Sequence, residues 1–156
     1  MNINKLKTLI AIMTRVETEQ RAFNINLWQQ MAITDDDGYK PHRTEQEVSD
    51  CGTSCCVAGW LGVSPEFIAE GGDVTNSGSP RMVNATVYET GAGAMAVFLE
   101  SNEAIANQIC GFEWHENENC YYFPETNTFY FGTHTTDITP TTVVKRLTEL
   151  LAEYEV

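Results

Sequence analysis

The sequence predicts an α+β, mainly α fold: a small helical domain with one or two short β-hairpins. Three observations predict it. Apolar residues recur at three- and four-residue intervals near both ends of the chain, the period of helices with one buried face. Two aromatic runs, CYYF and TFYF, flank the polar connection PETN, as the two arms of a hairpin do. The 156 residues, 42% of them hydrophobic, hold the apolar material of one ordinary core, so residues 1–156 are expected to form a single domain.

Taken in order, Ile3, Leu6, Leu9, Ile10, Met13 and Val16 make the stripe of an amphipathic helix, with Lys5, Lys7 and Arg15 on its other face. A short apolar unit, AFNINLWQQMAI, leads into TDDDGYKPHRTEQEVSD, whose polarity predicts an exposed, mobile loop over 35–50. Asp35, Asp36 and Asp37 lack the alternating carboxylates and the twelfth-position glutamate of a calcium loop. Thr53 or Ser54 is expected to cap a helix through CCVAGWLG, and Ser64-Pro65 to start another that ends at Gly71-Gly72. Turn residues from Asn76 to Pro80, set between β-favouring runs, predict a hairpin or irregular strands over 73–90. Ala92 to Ile109 reads as two helices or one bent helix, with Ser101 as the cap of the second segment and Gly111 as its stop. A β-hairpin is expected over 112–133. Thr139-Pro140 then opens the last helix, whose apolar face is Val143, Val144, Leu147, Leu150, Leu151 and Tyr154.

Charge narrows the function classes. Asp and Glu number 22 against 9 Lys and Arg, for a formal net charge of −13. No Lys or Arg lies between Arg81 and Lys145, an interval that holds Glu89, Glu100, Glu103, Glu113, Glu116, Glu118, Glu125 and Asp137. Such a chain repels phosphate, so direct nucleic-acid and membrane binding are not expected, and a basic protein is the natural partner. No apolar window approaches a membrane span, and the N-terminal run lacks a signal-peptide cleavage site, so a cytoplasmic location is expected.

The five cysteines fit no regular disulfide framework. Three of them fall in DCGTSCCVAGW, residues 50–60, which supports three readings. A catalytic one places Cys51, Cys55 or Cys56 at a helix N-terminus with His115 or His134 as base and Asp137 orienting His134. A metal one joins Cys51 and Cys55 to Cys110, His115 and Cys120, but no pair has the two-residue knuckle spacing of zinc sites. A structural one puts Cys56, Val57, Trp60 and Leu61 in the interior, with Trp28 as a second anchor. The structural reading carries the expectation, with no metal and no cofactor.

FNINLW at Phe23 to Trp28, CGTSCCVAGW at Cys51 to Trp60 and the terminal ITPTTVVKRLTELL resemble an uncharacterised group of small proteins encoded by phages, prophages and some bacteria. Their pattern is similar to F-D-M-x-x-W, then C-G-T-x-x-C-I-A-G-W, a short helical middle and a last helix opened by T-P. The chain departs from it at Asn24 and Ile25, in the additional Cys55, and in acidic insertion-like regions around 73–90 and 112–133. The resemblance implies a mostly helical fold and a phage or prophage origin, with action in the host cytoplasm; it implies no reaction.

The function expected is therefore that of a non-catalytic accessory protein that binds and inhibits a host protein with a basic surface, in one version by mimicking the charge of DNA. Glu100, Glu103, Glu113, Glu116 and Glu118 are the expected contact residues, with Trp114 as an apolar anchor. A cysteine-dependent hydrolase using Cys51, His134 and Asp137, and a protein that sequesters a small signalling nucleotide, are the alternatives; homo-oligomerisation is left open.

Overall fold

Helix α1 (Ile3–Thr18) begins where the Asn2 side-chain oxygen accepts from the N–H groups of Asn4 and Lys5, at 3.0 and 3.3 Å. A computed structural model of the chain describes residues 1–23, 32–34, 38–40, 42–50, 55–76, 78–110, 113–115, 120–123, 128–131 and 139–155. Seven helices and eight strands order these residues into an α+β, mainly α fold. The buried stripe of α1 is Leu6, Leu9, Ile12, Met13 and Val16, so Ile12 takes the place expected for Ile10, which is half-buried. The stripe is broad because α1 packs on two helices, α7 (Pro140–Tyr154) and α3 (Val57–Val63).

The stretch expected as a mobile loop, 35–50, carries regular structure in its described part. Strand β1 (Ala32–Thr34) pairs antiparallel with β2 (Gly38–Lys40), with Ile33 opposite Tyr39. Helix α2 (Glu45–Asp50) follows. It is started by a capping box: Thr44 Oγ1 accepts from Glu47 N–H at 3.2 Å, and the Glu47 carboxylate accepts from Thr44 N–H at 3.2 Å. Val48 anchors it in the core.

Helix α3 (Val57–Val63) is buried at every residue. Its cap is Cys56, whose Sγ accepts from Gly59 N–H at 3.4 Å; Thr53 and Ser54, the caps expected, lie outside the described residues. Ser64 both ends α3 and starts α4 (Pro65–Ala69), donating to Leu61 O at 2.7 Å and accepting from Phe67 N–H at 3.2 Å. Gly71, at φ +89°, then turns the chain out of α4, as its sequence predicts.

Strands β3 (Asp73–Val74), β4 (Pro80–Asn84) and β5 (Val87–Thr90) form an antiparallel sheet in that order. Of the turn expected over Asn76 to Pro80, between β3 and β4, Ser77 lies outside the described residues; Gly78 N–H donates to Thr75 O and Thr75 N–H to Ser79 O, both at 2.9 Å. A second, two-residue turn at Ala85-Thr86, with Ala85 at φ 54°, joins β4 to β5. Helices α5 (Ala92–Phe98) and α6 (Glu103–Cys110) are separate, and Asn102, not Ser101, caps α6 by accepting from Ile105 N–H at 3.0 Å. Gly111 lies outside the described residues. In the region 112–133, β6 (Glu113–His115), β7 (Cys120–Phe123) and β8 (Thr128–Phe131) pair as an antiparallel sheet. CYYF and TFYF face each other there, with Tyr121 opposite Tyr130 and Tyr122 opposite Phe129.

Helix α7 (Pro140–Tyr154) opens at Thr139, whose Oγ1 accepts from Thr142 N–H at 3.4 Å. Val143, Arg146, Leu147 and Leu150 are buried on α7, which packs on α1; Val144 and Leu151 are half-buried, and Tyr154, expected in the apolar face, is 40% exposed. Trp60, Phe67, Leu6, Leu9 and Met95 are among the largest fully buried side chains, each favouring the folded state by about 1.5–3 kcal/mol over exposure. Helix α5 lies on the β4–β5 hairpin and beside α6, and this corner shapes the site described next.

Candidate functional site

An open groove of about 440 Å³ runs between the β4–β5 hairpin and the α5–α6 corner. Its floor is Gly93, Ala96 and Val97, which helical spacing places on one face of α5. Asn84 and Glu89 form the hairpin wall; Glu100, Ser101 and Glu103 form the opposite one. The strand register explains the first wall. Met82 is opposite Glu89 and Asn84 opposite Val87, so these four share one face of the hairpin, and Met82 is buried on that face. The end of α5 explains the second. Glu100, at φ 49°, donates its N–H to Val97 O at 3.1 Å while Ser101 N–H donates to Ala96 O at 2.9 Å, a Schellman turn that swings Glu100 and Ser101 over the groove.

The three groove carboxylates differ from Glu45, Glu66, Glu70 and Asp73. Glu45 and Glu66 are both held by Arg15, at 2.5 and 2.9 Å; Glu45 is also 3.0 Å from Arg21. Glu70 pairs with Lys5, and Asp73 with Arg43 and Arg81 at 2.9 and 2.7 Å. Among the described residues no cation pairs with Glu89, Glu100 or Glu103. They line the open groove over a floor that is partly apolar.

Of the acids singled out in the sequence, the structure therefore brings Glu100 and Glu103 into one groove. Glu113 and Trp114 stand on β6, opposite Tyr122 and Tyr121, and are described by backbone alone. Glu116 and Glu118 lie outside the described residues, as do Cys51, His134 and Asp137. Glu89 joins the groove although the sequence reading did not select it; its signal was membership of the interval without Lys or Arg, and only the hairpin register places it on the groove face.

The cysteines behave as the structural reading expects wherever their side chains are described. Cys55 is fully buried and Cys56 is 3% exposed. Burial pushes the Cys55 thiol far above its ordinary range, with the neighbouring Cys56 adding to the shift. Burial also pushes Cys56 up to about 11, against the hydrogen bond from Gly59 that favours thiolate. Both shifts disfavour the thiolate, the nucleophilic form of cysteine. Cys55 instead joins the chain to its N-terminal third: its N–H donates to Ala22 O at 3.4 Å, and Phe23 and Cys55 form a parallel bridge. Trp60 reinforces the seam, donating its indole N–H to Ala22 O at 3.1 Å with the Arg21 guanidinium 5.4 Å over its ring. Of the other metal candidates, His115 stands opposite Cys120 in the β6–β7 register. Among the described residues no group of three or more His, Cys, Asp or Glu is placed to hold a metal ion, and no helix is long and apolar enough to cross a membrane. Compared with protein-family models, with curated proteins and with solved structures, the chain matches none.

Proposed function

We propose that the protein is a non-catalytic binding protein that engages, and by occupancy inhibits, a host protein with a basic surface. The observation that supports this reading is the convergence of Glu89, Glu100 and Glu103 on one solvent-open groove where, among the described residues, no cation pairs with them. Paired acids are spent on the fold; these remain available for a partner. The stretch from Arg81 to Lys145, empty of Lys and Arg, extends the same sign of charge along the chain. Resemblance of the framework to phage-encoded proteins supplies the host context, and imitation of nucleic-acid charge is the version in which the partner is itself a nucleic-acid-binding protein.

Pull-down from host lysate at low and high salt tests the reading. A specific partner retained at low salt, released at high salt, and lost on Glu100→Lys/Glu103→Lys reversal is the expected result. A partner indifferent to that reversal, or none at low salt, refutes it.

A further inference from the structure

Strand β5 is, among the described residues, an edge strand of its sheet, and the pattern of its hydrogen bonds shows which groups it turns away from β4. Gly91 N–H donates to Pro80 O at 2.8 Å, so Pro80–Gly91 is a hydrogen-bonded pair. Alternation along an antiparallel ladder makes Met82–Glu89 and Asn84–Val87 the next such pairs. Tyr88 and Thr90 therefore turn their N–H and C=O away from β4, and among the described residues no strand or backbone group bonds to them. Natural sheet edges are blunted by Lys, Pro, a bulge or a covering element. Strand β5 reads Val-Tyr-Glu-Thr in unbroken register, with Val87 60% and Tyr88 65% exposed.

The two faces beside this edge differ. Val87 and Glu89 point toward α5, where Glu89 meets Glu100 and Glu103 across the groove. Tyr88 points the other way, and the Arg81 guanidinium lies 5.1 Å over its ring, held by Asp73 at 2.7 Å.

We propose that the β5 edge takes up an extended segment of a basic partner protein in which Lys or Arg alternates with apolar residues. The segment continues the sheet by bonding to the main chain of Tyr88 and Thr90. A residue across from Glu89 shares its face, so a cation there brings its head to the three carboxylates and its methylene stem to Ala96 and Val97. A residue across from Tyr88 lies on the Arg81 side, where an apolar group packs on the ring and a second cation is repelled. Charge decides the occupant: a second copy of a chain of formal net charge −13 would bring further carboxylates to the same edge. This mode rests on the acidic-surface reading and adds where and how the partner sits.

The test is fluorescence anisotropy at low ionic strength with a labelled peptide of alternating Val and Lys, compared with the same peptide N-methylated along one edge, which keeps every side chain and charge. Thr90→Pro removes an outward N–H and leaves the β4 ladder intact; a thermal melt reports whether that variant folds, and the N-methylated peptide needs no altered protein. N-methylation and Thr90→Pro are each expected to weaken binding by about tenfold or more. Equal binding of both peptides overturns strand addition, and so does the absence of binding by either. In both cases the charge-reversal pull-down decides separately whether the acidic-surface reading stands. Sedimentation showing a dimer that Thr90→Pro disperses also overturns the proposal, because the edge then belongs to a second copy.

Discussion

The Glu89 carboxylate lies over Gly93: a Cβ on Gly93 would stand 2.9 Å from Glu89 Oε2 and 3.4 Å from Glu89 Cβ. Gly93 is in the first turn of α5, so its lack of a side chain leaves room for an acid at the edge of the groove floor. Gly93→Ala is expected to add about 0.5 kcal/mol of stability through helix propensity, because the flexible end of Glu89 can move aside. The displaced carboxylate no longer faces Glu100 and Glu103, so affinity for a cationic peptide falls roughly threefold, the scale of one exposed ion pair. Urea unfolding and anisotropy on the same variant check both signs; a gain in both quantities would show that Glu89 does not serve the groove.

Glu100 and Gly71 occupy equivalent positions, the first residue beyond a helix cap, in Schellman turns that close α5 and α4. Glycine meets the left-handed backbone without penalty, and Glu100 at φ 49° does not. Glu100→Gly is therefore expected to stabilise the fold by about 1 kcal/mol while removing a groove carboxylate. Thermal unfolding should rise as salt-dependent peptide binding drops. If stability falls instead, Glu100 makes a contribution to the fold that its exposed position does not explain.

How far this was legible varies with the physics of each element. The ends of the chain were read well because α1 and α7 bury one stripe each, and period alone locates such a stripe; Ile12 was missed because packing on two helices widened it. The capping box of α2 was present in the sequence as Thr44-Glu45-Gln46-Glu47, but the polarity around it reads as loop. Ser101 was a reasonable cap by type, yet the Schellman turn of α5 needed it at that turn's last position, which left Asn102 to cap α6. Charge pointed to Glu100 and Glu103 from composition alone. Glu89 required the register of β4 on β5, which a two-residue turn at Ala85-Thr86 fixes and which no Asn-Gly or Asp-Gly signal announces.

The thiols of Cys55 and Cys56 should resist iodoacetamide in the native protein at neutral pH and react once it is unfolded, as mapped by mass spectrometry of the labelled peptides. Substitution separates their roles. Cys56→Ser keeps an acceptor for Gly59 N–H and should change stability by less than about 1 kcal/mol. Cys55→Ser buries a hydroxyl in the core and should cost about 1–3 kcal/mol. Both folded thiols titrate above the ordinary value near 9, so their contribution is complete below that pH and is lost as pH rises from 9 toward 11. An alkaline limb that survives in the double Ser variant would assign it elsewhere.

The acid limb should have a different origin. Arg15 donates to both oxygens of Glu66, at 2.9 and 3.0 Å, and to Glu45 at 2.5 Å, joining α1 to α4 and α2. The Arg15 hydrogen bonds hold the Glu66 carboxyl below its ordinary value of 4.5, against a smaller opposing effect of burial. A carboxyl depressed in the folded state stabilises it above the unfolded value and loses that contribution as pH falls through the folded one. Stability should thus decline below about pH 4.5. Glu66→Gln should remove about 1 kcal/mol at pH 7, since the pair is bidentate but partly exposed, and should shrink the decline on acidification. Urea midpoints across the acid range measure it; parallel curves for the two proteins would move the acid-labile contact away from the α1–α4 seam, toward the Glu47 carboxylate that accepts from Arg43 N–H at 2.6 Å.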